Sequence, residues 1–165
     1  MSLSNELKMN RSFSSLGEEA FLSLWRSFSL LEPFIAVELA PHELTMAQFN
    51  ILRILKGSQF EDGMSCSEIG ERMVSRDSDL TRLLDKLEKR GFVQRTRPQH
   101  DRRKVHSTIT LSGREILEEL SPRVAQAAKS CFDHLTEEQL AKLIHLLEIV
   151  RDAHIKPQHQ PIIQV

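Results

Sequence analysis

The stretch DRRKVHSTITLSG, Asp101–Gly113, joins a run of charged residues to a strand-like alternation. The charged run is Asp101–Lys104, and after it every second residue of Val105–Leu111 can face a core. A period of two is typical of a strand with one wet face. We therefore expect one set of side chains inside, Val105, Ser107, Ile109 and Leu111, and the other outside, His106, Thr108 and Thr110. The charged run then predicts the tip of a β-hairpin.

The sequence around this hairpin is helical. A Ser or Thr followed three residues later by Glu or Gln can form a capping box, in which both side chains satisfy first-turn amides. This pattern occurs at five places, Ser15–Glu18, Thr45–Gln48, Ser65–Glu68, Ser112–Glu115 and Thr136–Gln139. Pro33 is expected to kink or end the first helix because it lacks a backbone donor. The remaining helices are predicted over Met46–Lys56, Cys66–Met73, Asp77–Arg90, Gly113–His134 and Glu137–His154, and the strands over Phe92–Thr96 and Val105–Leu111.

Composition limits the class of protein. The 165 residues, 40% of them hydrophobic, can form one compact domain with or without an interaction module. No uninterrupted apolar run is long enough for a membrane span, and the first residues lack the apolar core of a secretory leader. Two cysteines, Cys66 and Cys131, form no metal-type pair and are too few for a disulfide scaffold. We expect a cytoplasmic protein without a cofactor.

Positive charge is concentrated in one segment. Residues 76–104 hold ten Lys and Arg against five Asp and Glu, whereas the whole chain has a net charge of −1. A short helix, a turn, an amphipathic helix and a hairpin with a basic tip follow one another here, which is the order of a winged helix-turn-helix. Such a segment suits double-stranded DNA, because a helix fits the major groove and loop cations reach phosphates or the minor groove. The candidate contacts are Ser78, Asp79, Thr81, Arg82 and Lys86 on the helix, and Arg95, Arg97, Arg102, Arg103 and Lys104 on the wing.

Several blocks resemble the MarR family of transcription regulators. They are LTMAQFNILRIL (Leu44–Leu55), LTRLLDKLEKRGFVQR (Leu80–Arg95) and the wing stretch, whose Asp-x-Arg pattern precedes a Leu-Ser-Gly sequence. LTEEQLAKLIHLLEIV is similar to the usual last helix of the family, and the resemblance extends over Leu16–His154. It implies a mainly α fold of about six helices with a small β-hairpin wing, and a regulator, most often a repressor, rather than an enzyme.

The resemblance also implies a homodimer that binds an inverted repeat. In that arrangement Arg103 enters the minor groove and Asp101 holds its guanidinium by a charge-assisted pair, while Arg102 and Lys104 reach phosphates. The alternative is that Asp101 and Arg103 form an ordinary surface ion pair. The dimer interface is predicted to include Phe21, Leu24, Leu140, Leu143 and Leu147. The layout is a flexible arm (1–14), a dimerisation helix (15–43), the winged domain (44–112), two dimerisation helices (113–155) and a tail (156–165).

A small aromatic or lipophilic effector is a further implication of the family. The candidate lining residues are Trp25, Phe28, Phe34, Met46 and Phe49, each of which is alternatively a plain core residue. Asp79 departs from the family pattern, since many relatives have a small neutral residue there. A carboxylate facing DNA lowers affinity unless it accepts a hydrogen bond, for example from cytosine N4.

Other functions fit the sequence less well. No nucleophile elbow, dinucleotide fingerprint, P-loop or zinc-protease motif is present, which argues against an enzyme. The seven histidines suggest a metal sensor, but surface or interface histidines explain them better, and no metal ligands are predicted. Cys66 starts a helix, where a thiol pKa is lowered, yet a structural thiol is the better interpretation. A winged module that binds protein rather than DNA remains an alternative, and the basic segment argues against it.

Overall fold

A computed structural model describes residues 2–58, 62–75, 79–97 and 105–154. The chain divides into two compact units, Met1–Ala128 and Lys129–Val165. The described residues form seven α-helices and one small sheet, in the order α1 (Leu3–Glu6), α2 (Leu16–Leu39), α3 (Met46–Lys56), β1 (Met64–Ser65), α4 (Cys66–Arg72), α5 (Leu80–Lys89), β2 (Val93–Thr96), β3 (His106–Ile109), α6 (Leu111–Ser130) and α7 (Glu137–Asp152). A 3₁₀ turn, Ala40–His42, follows α2. The predicted mainly helical fold with a small β wing is confirmed.

Capping chemistry sets most of the helix starts. Complete capping boxes open α3, α4 and α7 at the predicted residues. At α2 only half of the box forms: the Ser15 hydroxyl accepts from the Glu18 amide, while the Glu18 carboxylate accepts from the amide and hydroxyl of Ser14. These bonds lower the pKa of Glu18 below its ordinary value. The N-terminal segment predicted as a flexible arm contains α1, whose Glu6 lies 2.6 Å from Arg26 of α2.

Several predicted helix boundaries differ from the observed ones, and the largest difference at a C-terminal end is in α6, which ends at Ser130 rather than His134. α2 runs through Pro33 to Leu39, so the proline does not end it. α6 begins at Leu111 rather than Gly113, because Thr110 and not Ser112 supplies the capping hydroxyl: Thr110 Oγ1 accepts from the Gly113 amide at 3.1 Å. Ser112 instead donates to the Gly91 carbonyl oxygen at 2.9 Å.

The sheet has three antiparallel strands in the order β1–β3–β2, one strand more than the predicted hairpin. β2 pairs with β3 from Val93↔Ile109 to Thr96↔His106, and Met64 of β1 pairs with Ser107. Within β3 the predicted alternation holds at its centre, where Ser107 and Ile109 are buried. It fails at both ends, since Val105 precedes the strand and Leu111 already belongs to α6, and both side chains are exposed.

The core of the first unit surrounds α3. Ile51 and Leu52 of this helix are fully buried beside apolar residues of β1, α4, α5, β2, β3 and α6. Lys56 at the end of α3 lies 2.9 Å from Glu118 of α6, and this cation lowers the pKa of Glu118 below its ordinary value. The helices α4 and α5 and the sheet thus share one core with α3.

Gly113 marks the closest approach of α6 to the strands. It is buried, and a Cβ atom built on it would overlap the Phe92 carbonyl oxygen and the Ile109 side chain. Only a residue without a Cβ fits here. The glycine of the Leu-Ser-Gly sequence is therefore a packing requirement of the junction between the wing and α6.

Candidate nucleic-acid interface

α5 separates its apolar and polar side chains sharply. Leu80, Leu84 and Leu87 are buried against the core, and Leu83 packs partly against it. The opposite face is exposed and carries Thr81, Arg82, Asp85, Lys86, Glu88 and Lys89. α4, which precedes α5, contributes Ile69 to the same core. The predicted helix-turn-helix therefore presents one polar helical face of a size that a major groove accepts.

Asp79 lies at the N-cap of α5 but makes no capping hydrogen bond with its side chain. Its Oδ2 accepts a hydrogen bond from Arg82 Nη1 at 3.1 Å, and both side chains are largely exposed. Asp79 thus pairs with Arg82, the first cation of the exposed face of α5. Of the predicted helix contacts, Thr81, Arg82 and Lys86 are also exposed, while Ser78 lies outside the described residues.

Arg95 of β2 turns back toward α5. Its Nη2 lies 2.7 Å from Asp85 Oδ1 and donates to the Thr81 carbonyl oxygen at 3.1 Å, and its Nε lies 3.6 Å from Glu88 Oε2. Only 19% of the side chain is exposed. The sequence held a signal for this placement: alternation along β2 puts Arg95 on the same side as the buried Val93. Arg95, predicted as a DNA contact, is therefore engaged with the recognition helix.

Of the other predicted wing residues, the structure describes Arg97 alone. Arg97 is exposed just after β2. Asp101, Arg102, Arg103 and Lys104 lie outside the described residues, so their roles stay predictions.

A cavity of about 900 Å³ opens between the start of α4, α5 and the sheet. Its walls include Cys66, Thr81, Arg95 and His106. Cys66 Sγ is 3.9 Å from Thr81 Oγ1. The buried His106 Nδ1 has no hydrogen-bond partner among the residues that the structure describes. No sequence motif indicated this cavity, because its walls come from five separate elements.

The five predicted effector-lining residues separate into two groups. Phe49 is a buried member of the core around α3, and Met46 packs against that core. Trp25, Phe28 and Phe34 are more than half exposed on α2. Among the residues that the structure describes, no group of three or more His, Cys, Asp or Glu side chains could hold a metal ion.

The apolar side chains of α2 are unusually exposed. Phe21, Leu24, Trp25 and Phe28 form part of this surface, and Phe21 and Trp25 contact each other edge to face. By length and composition alone, Leu16–His42 could cross a membrane, which differs from the expectation that no segment could. The expectation relied on uninterrupted apolar runs, and Arg26 and Glu32 interrupt this one. A core helix of a soluble protein and a signal sequence pass the same test, so the observation is weak evidence for a span.

α7 belongs to the second compact unit of the chain. Leu140, Leu143 and Leu147, predicted for the dimer interface, are half-buried along it. Ile144, Leu146, Ile149 and Val150 are exposed. This helix therefore also carries apolar surface in contact with water.

The sequence matches the MarR family pattern over residues 44–105. It is 31% identical over 137 residues to the HTH-type transcriptional repressor MdtR of Bacillus subtilis, covering 82% of this chain and 86% of that protein. It is 30% identical over 107 residues to the homoprotocatechuate degradative operon repressor of Escherichia coli, covering 65% and 70%. A MarR transcription factor from Planctomyces limnophilus has a similar structure, with a TM-score of 0.63, 35% identity and coverage of 84% and 99%. Bordetella bronchiseptica BpsR shares the fold, with a TM-score of 0.75, 23% identity and coverage of 86% and 99%.

Proposed function

Because the chain belongs to the MarR family of DNA-binding transcription regulators, we propose that it binds an inverted-repeat operator as a homodimer and represses the adjoining genes. The family consists of regulators rather than enzymes. The dimer, the symmetry of the operator and the sign of regulation are the parts of this proposal that go beyond membership of the family.

The observation that carries the proposal is the exposed face of α5. Arg82 and Lys86 lie one turn apart on it, and Lys89 follows at the C-terminal end. Cations on such a face contact phosphates and guanine edges when the helix enters the major groove. The wing cations Arg97, Arg102, Arg103 and Lys104 belong to the same basic segment of the sequence. Of these we expect Arg103 to enter the neighbouring minor groove, and Arg102 and Lys104 to reach phosphates.

The exposed apolar surface of α2 supports the homodimer. A soluble monomer rarely leaves so many large apolar side chains in water, and their burial against another chain is favourable in proportion to area. Phe21 and Leu24 on α2, and Leu140, Leu143 and Leu147 on α7, are the residues we assign to this contact. Two copies would then present two α5 helices to half-sites about one helical turn apart.

A lipid bilayer is the alternative environment for the exposed apolar side chains of α2. Arg26 pairs with Glu6, and Glu38 pairs with Arg123 of α6 at 2.9 Å. Arg26 and Glu38 both lie on α2, and a charged side chain inside a hydrocarbon layer is costly. We therefore propose a cytoplasmic protein, and separation of membrane and soluble fractions of the expressing cell would test it.

A small aromatic or lipophilic effector would act on this dimer by altering the distance between the two α5 helices. Trp25, Phe28 and Phe34 offer exposed aromatic surface for it. One relative is named as a homoprotocatechuate degradative operon repressor, so aromatic acids are the first class to titrate against the bound operator. Release of DNA at saturating acid supports the effector, and no release by any compound of this class contradicts it.

The first experiment is selection of sheared genomic DNA by the purified protein, followed by sequencing of the bound fragments. Recovery of one short inverted repeat supports the proposal. Affinity for that repeat should fall with salt, with a slope near −0.9 for each phosphate contact. Recovery of no sequence, together with a flat salt dependence, would contradict DNA recognition and favour a protein-binding module.

The dimer is tested by placing a charge on α7. Leu143→Lys or Leu147→Lys should break the dimer or the fold, because an ammonium would be left on a half-buried apolar stripe. Glu138→Lys introduces the same ammonium at an exposed position of the same helix and is the control. Light scattering that finds Leu143→Lys still dimeric, with unchanged thermal stability, would show that α7 takes no part in association.

A further inference from the structure

Arg90 connects the end of the recognition helix to the end of α2. It is the residue after α5, and its Nη2 donates to the His42 carbonyl oxygen at 2.6 Å while its Nη1 donates to the Glu43 carbonyl oxygen at 2.9 Å. His42 is the last residue of the 3₁₀ turn that follows α2, and Glu43 is the residue after that turn. The Arg90 guanidinium therefore joins the end of α5 to two residues that lie 47 and 48 positions earlier in the chain.

The receiving side of this contact is a helix terminus. The last carbonyls of a helix have no partner within the helix, and a nearby cation is favourable there. Glu43 has a positive φ of 49°, and its amide donates to the Ala40 carbonyl oxygen at 2.9 Å. The chain reverses here with a left-handed residue, and its carbonyl is turned toward Arg90.

The donating side is fixed as well. The Arg90 guanidinium carbon lies 4.8 Å from the centre of the Phe92 ring, so a cation–π contact limits its rotation. On the far side of the turn, the His42 imidazole Nε2 lies 3.3 Å from Glu119 Oε1 of α6. The turn at the end of α2 is thus held from α5 by Arg90 and from α6 by Glu119.

From this geometry we infer that Arg90 is a positioning residue, which fixes the recognition helix relative to α2 and thereby sets the half-site spacing that the protein accepts. The inference rests on the proposed homodimer and inverted-repeat operator. If α2 contributes to the dimer contact, any freedom at its junction with α5 becomes freedom in the distance between the two recognition helices. A rigid junction then rejects an operator whose half-sites are one base pair too close or too far.

The test compares affinities for the selected operator with those for the same half-sites moved apart or together by one base pair. The ratio of these affinities in the parent protein measures spacing discrimination. In Arg90→Ala we expect this ratio to fall by about fivefold, the lower end of typical coupling between sites. Arg90→Lys should give a smaller fall, since an ammonium retains the charge without the planar fork.

Lys89→Ala is the matched control. It removes a cation from the neighbouring exposed position, so it should weaken binding to all spacings alike and leave the ratio unchanged. General destabilisation would likewise lower the active fraction without changing the ratio. A parent-like ratio in both Arg90 variants would overturn the inference.

A measurement without DNA separates this inference from the proposed function. Hydrogen exchange of free Arg90→Lys should be faster than in the parent at peptides covering residues 40–46 and 86–92, and Lys89→Ala should match the parent. If the parent protein selects no inverted repeat, the proposed function fails. If exchange in Arg90→Lys is unchanged in both peptides, the positioning role of Arg90 fails as well. Faster exchange confined to these peptides would keep Arg90 as the link between α2 and α5.

Discussion

The Arg95 guanidinium lies 2.7 Å from the Asp85 carboxylate, which ties strand β2 to the exposed face of α5. Glu88 lies 3.6 Å away on the same face. This strand cation thus offsets two acids on the surface that we assign to DNA. Its position explains how a recognition helix can carry acids beside Arg82 and Lys86.

We expect Arg95→Ala to weaken operator binding by exposing Asp85 and Glu88 to DNA without a counter-charge. The salt dependence separates this role from a phosphate contact. Loss of a phosphate contact reduces the salt slope by about 1, whereas loss of an internal ion pair leaves the number of contacts unchanged. The measurement is the affinity at several salt concentrations for Arg95→Ala and for Arg95→Ala/Asp85→Asn. A partial recovery of affinity in the double variant supports the internal role, and a slope lowered by about 1 in Arg95→Ala contradicts it.

Asp79→Asn should increase affinity for unrelated DNA and reduce selectivity for the operator. The substitution removes a negative charge from the recognition face and releases Arg82 from its ion pair at 3.1 Å. Because both side chains are exposed, the effect on protein stability should stay below about 1 kcal/mol. Competition between operator and random DNA measures the selectivity. Glu115→Gln on α6 is a charge-matched control, and equal selectivity of Asp79→Asn and the parent would exclude a role for Asp79 in specificity.

Arg103→Ala should cost roughly 1–3 kcal/mol of operator binding and leave the oligomeric state unchanged. The reason is the minor-groove contact that the family pattern implies for this wing residue. Arg114→Ala removes an exposed arginine from α6 and serves as the control. Operator titration by fluorescence anisotropy gives both affinities. Parent-like binding by Arg103→Ala would show that the wing assignment is wrong.

Gly113→Ala should destabilise the first unit by about 1–3 kcal/mol or more, because the new methyl group would overlap the Phe92 carbonyl oxygen. Gly57→Ala is the matched control. Gly57 ends α3 with a φ of −79°, and a Cβ atom there would meet the Arg53 carbonyl oxygen at an ordinary 3.5 Å. This control should be neutral or stabilising by about 0.4–1 kcal/mol. Urea unfolding measures both values, and equal stability of the two variants would contradict the close approach.

Much of the fold could be predicted because its signals are local. A hydroxyl and an amide three residues apart open α3, and Gly57 follows its last residue, so both ends of this helix agree with the sequence. The comparisons likewise confirm a regulator rather than an enzyme. Strand β1 was not predicted, because its two residues are too few to show an alternation of apolar and polar side chains.

The candidate site was harder to predict because its side chains interact across elements. Arg95 was expected to face DNA because it is a cation near the wing, yet its partners are ten and seven residues earlier on another element. Arg90 gave no signal at all, since its acceptors are backbone carbonyls. The alternation along β2 indicates which side of the strand Arg95 occupies. The partners of Arg95 and Arg90 depend on the tertiary arrangement, which residue type and spacing do not specify.

The junction between β3 and α6 consists of one residue, Thr110. Its amide donates to the Phe92 carbonyl oxygen and its hydroxyl to the Gly91 carbonyl oxygen, while the Gly113 amide donates to the same hydroxyl oxygen. Insertion of a single residue here would turn α6 by about 100° and carry the buried Leu117 and Leu120 out of the core. This point therefore fixes the rotational phase of α6. Substitutions along the outer face of that helix are far more acceptable than any change in the number of residues before it.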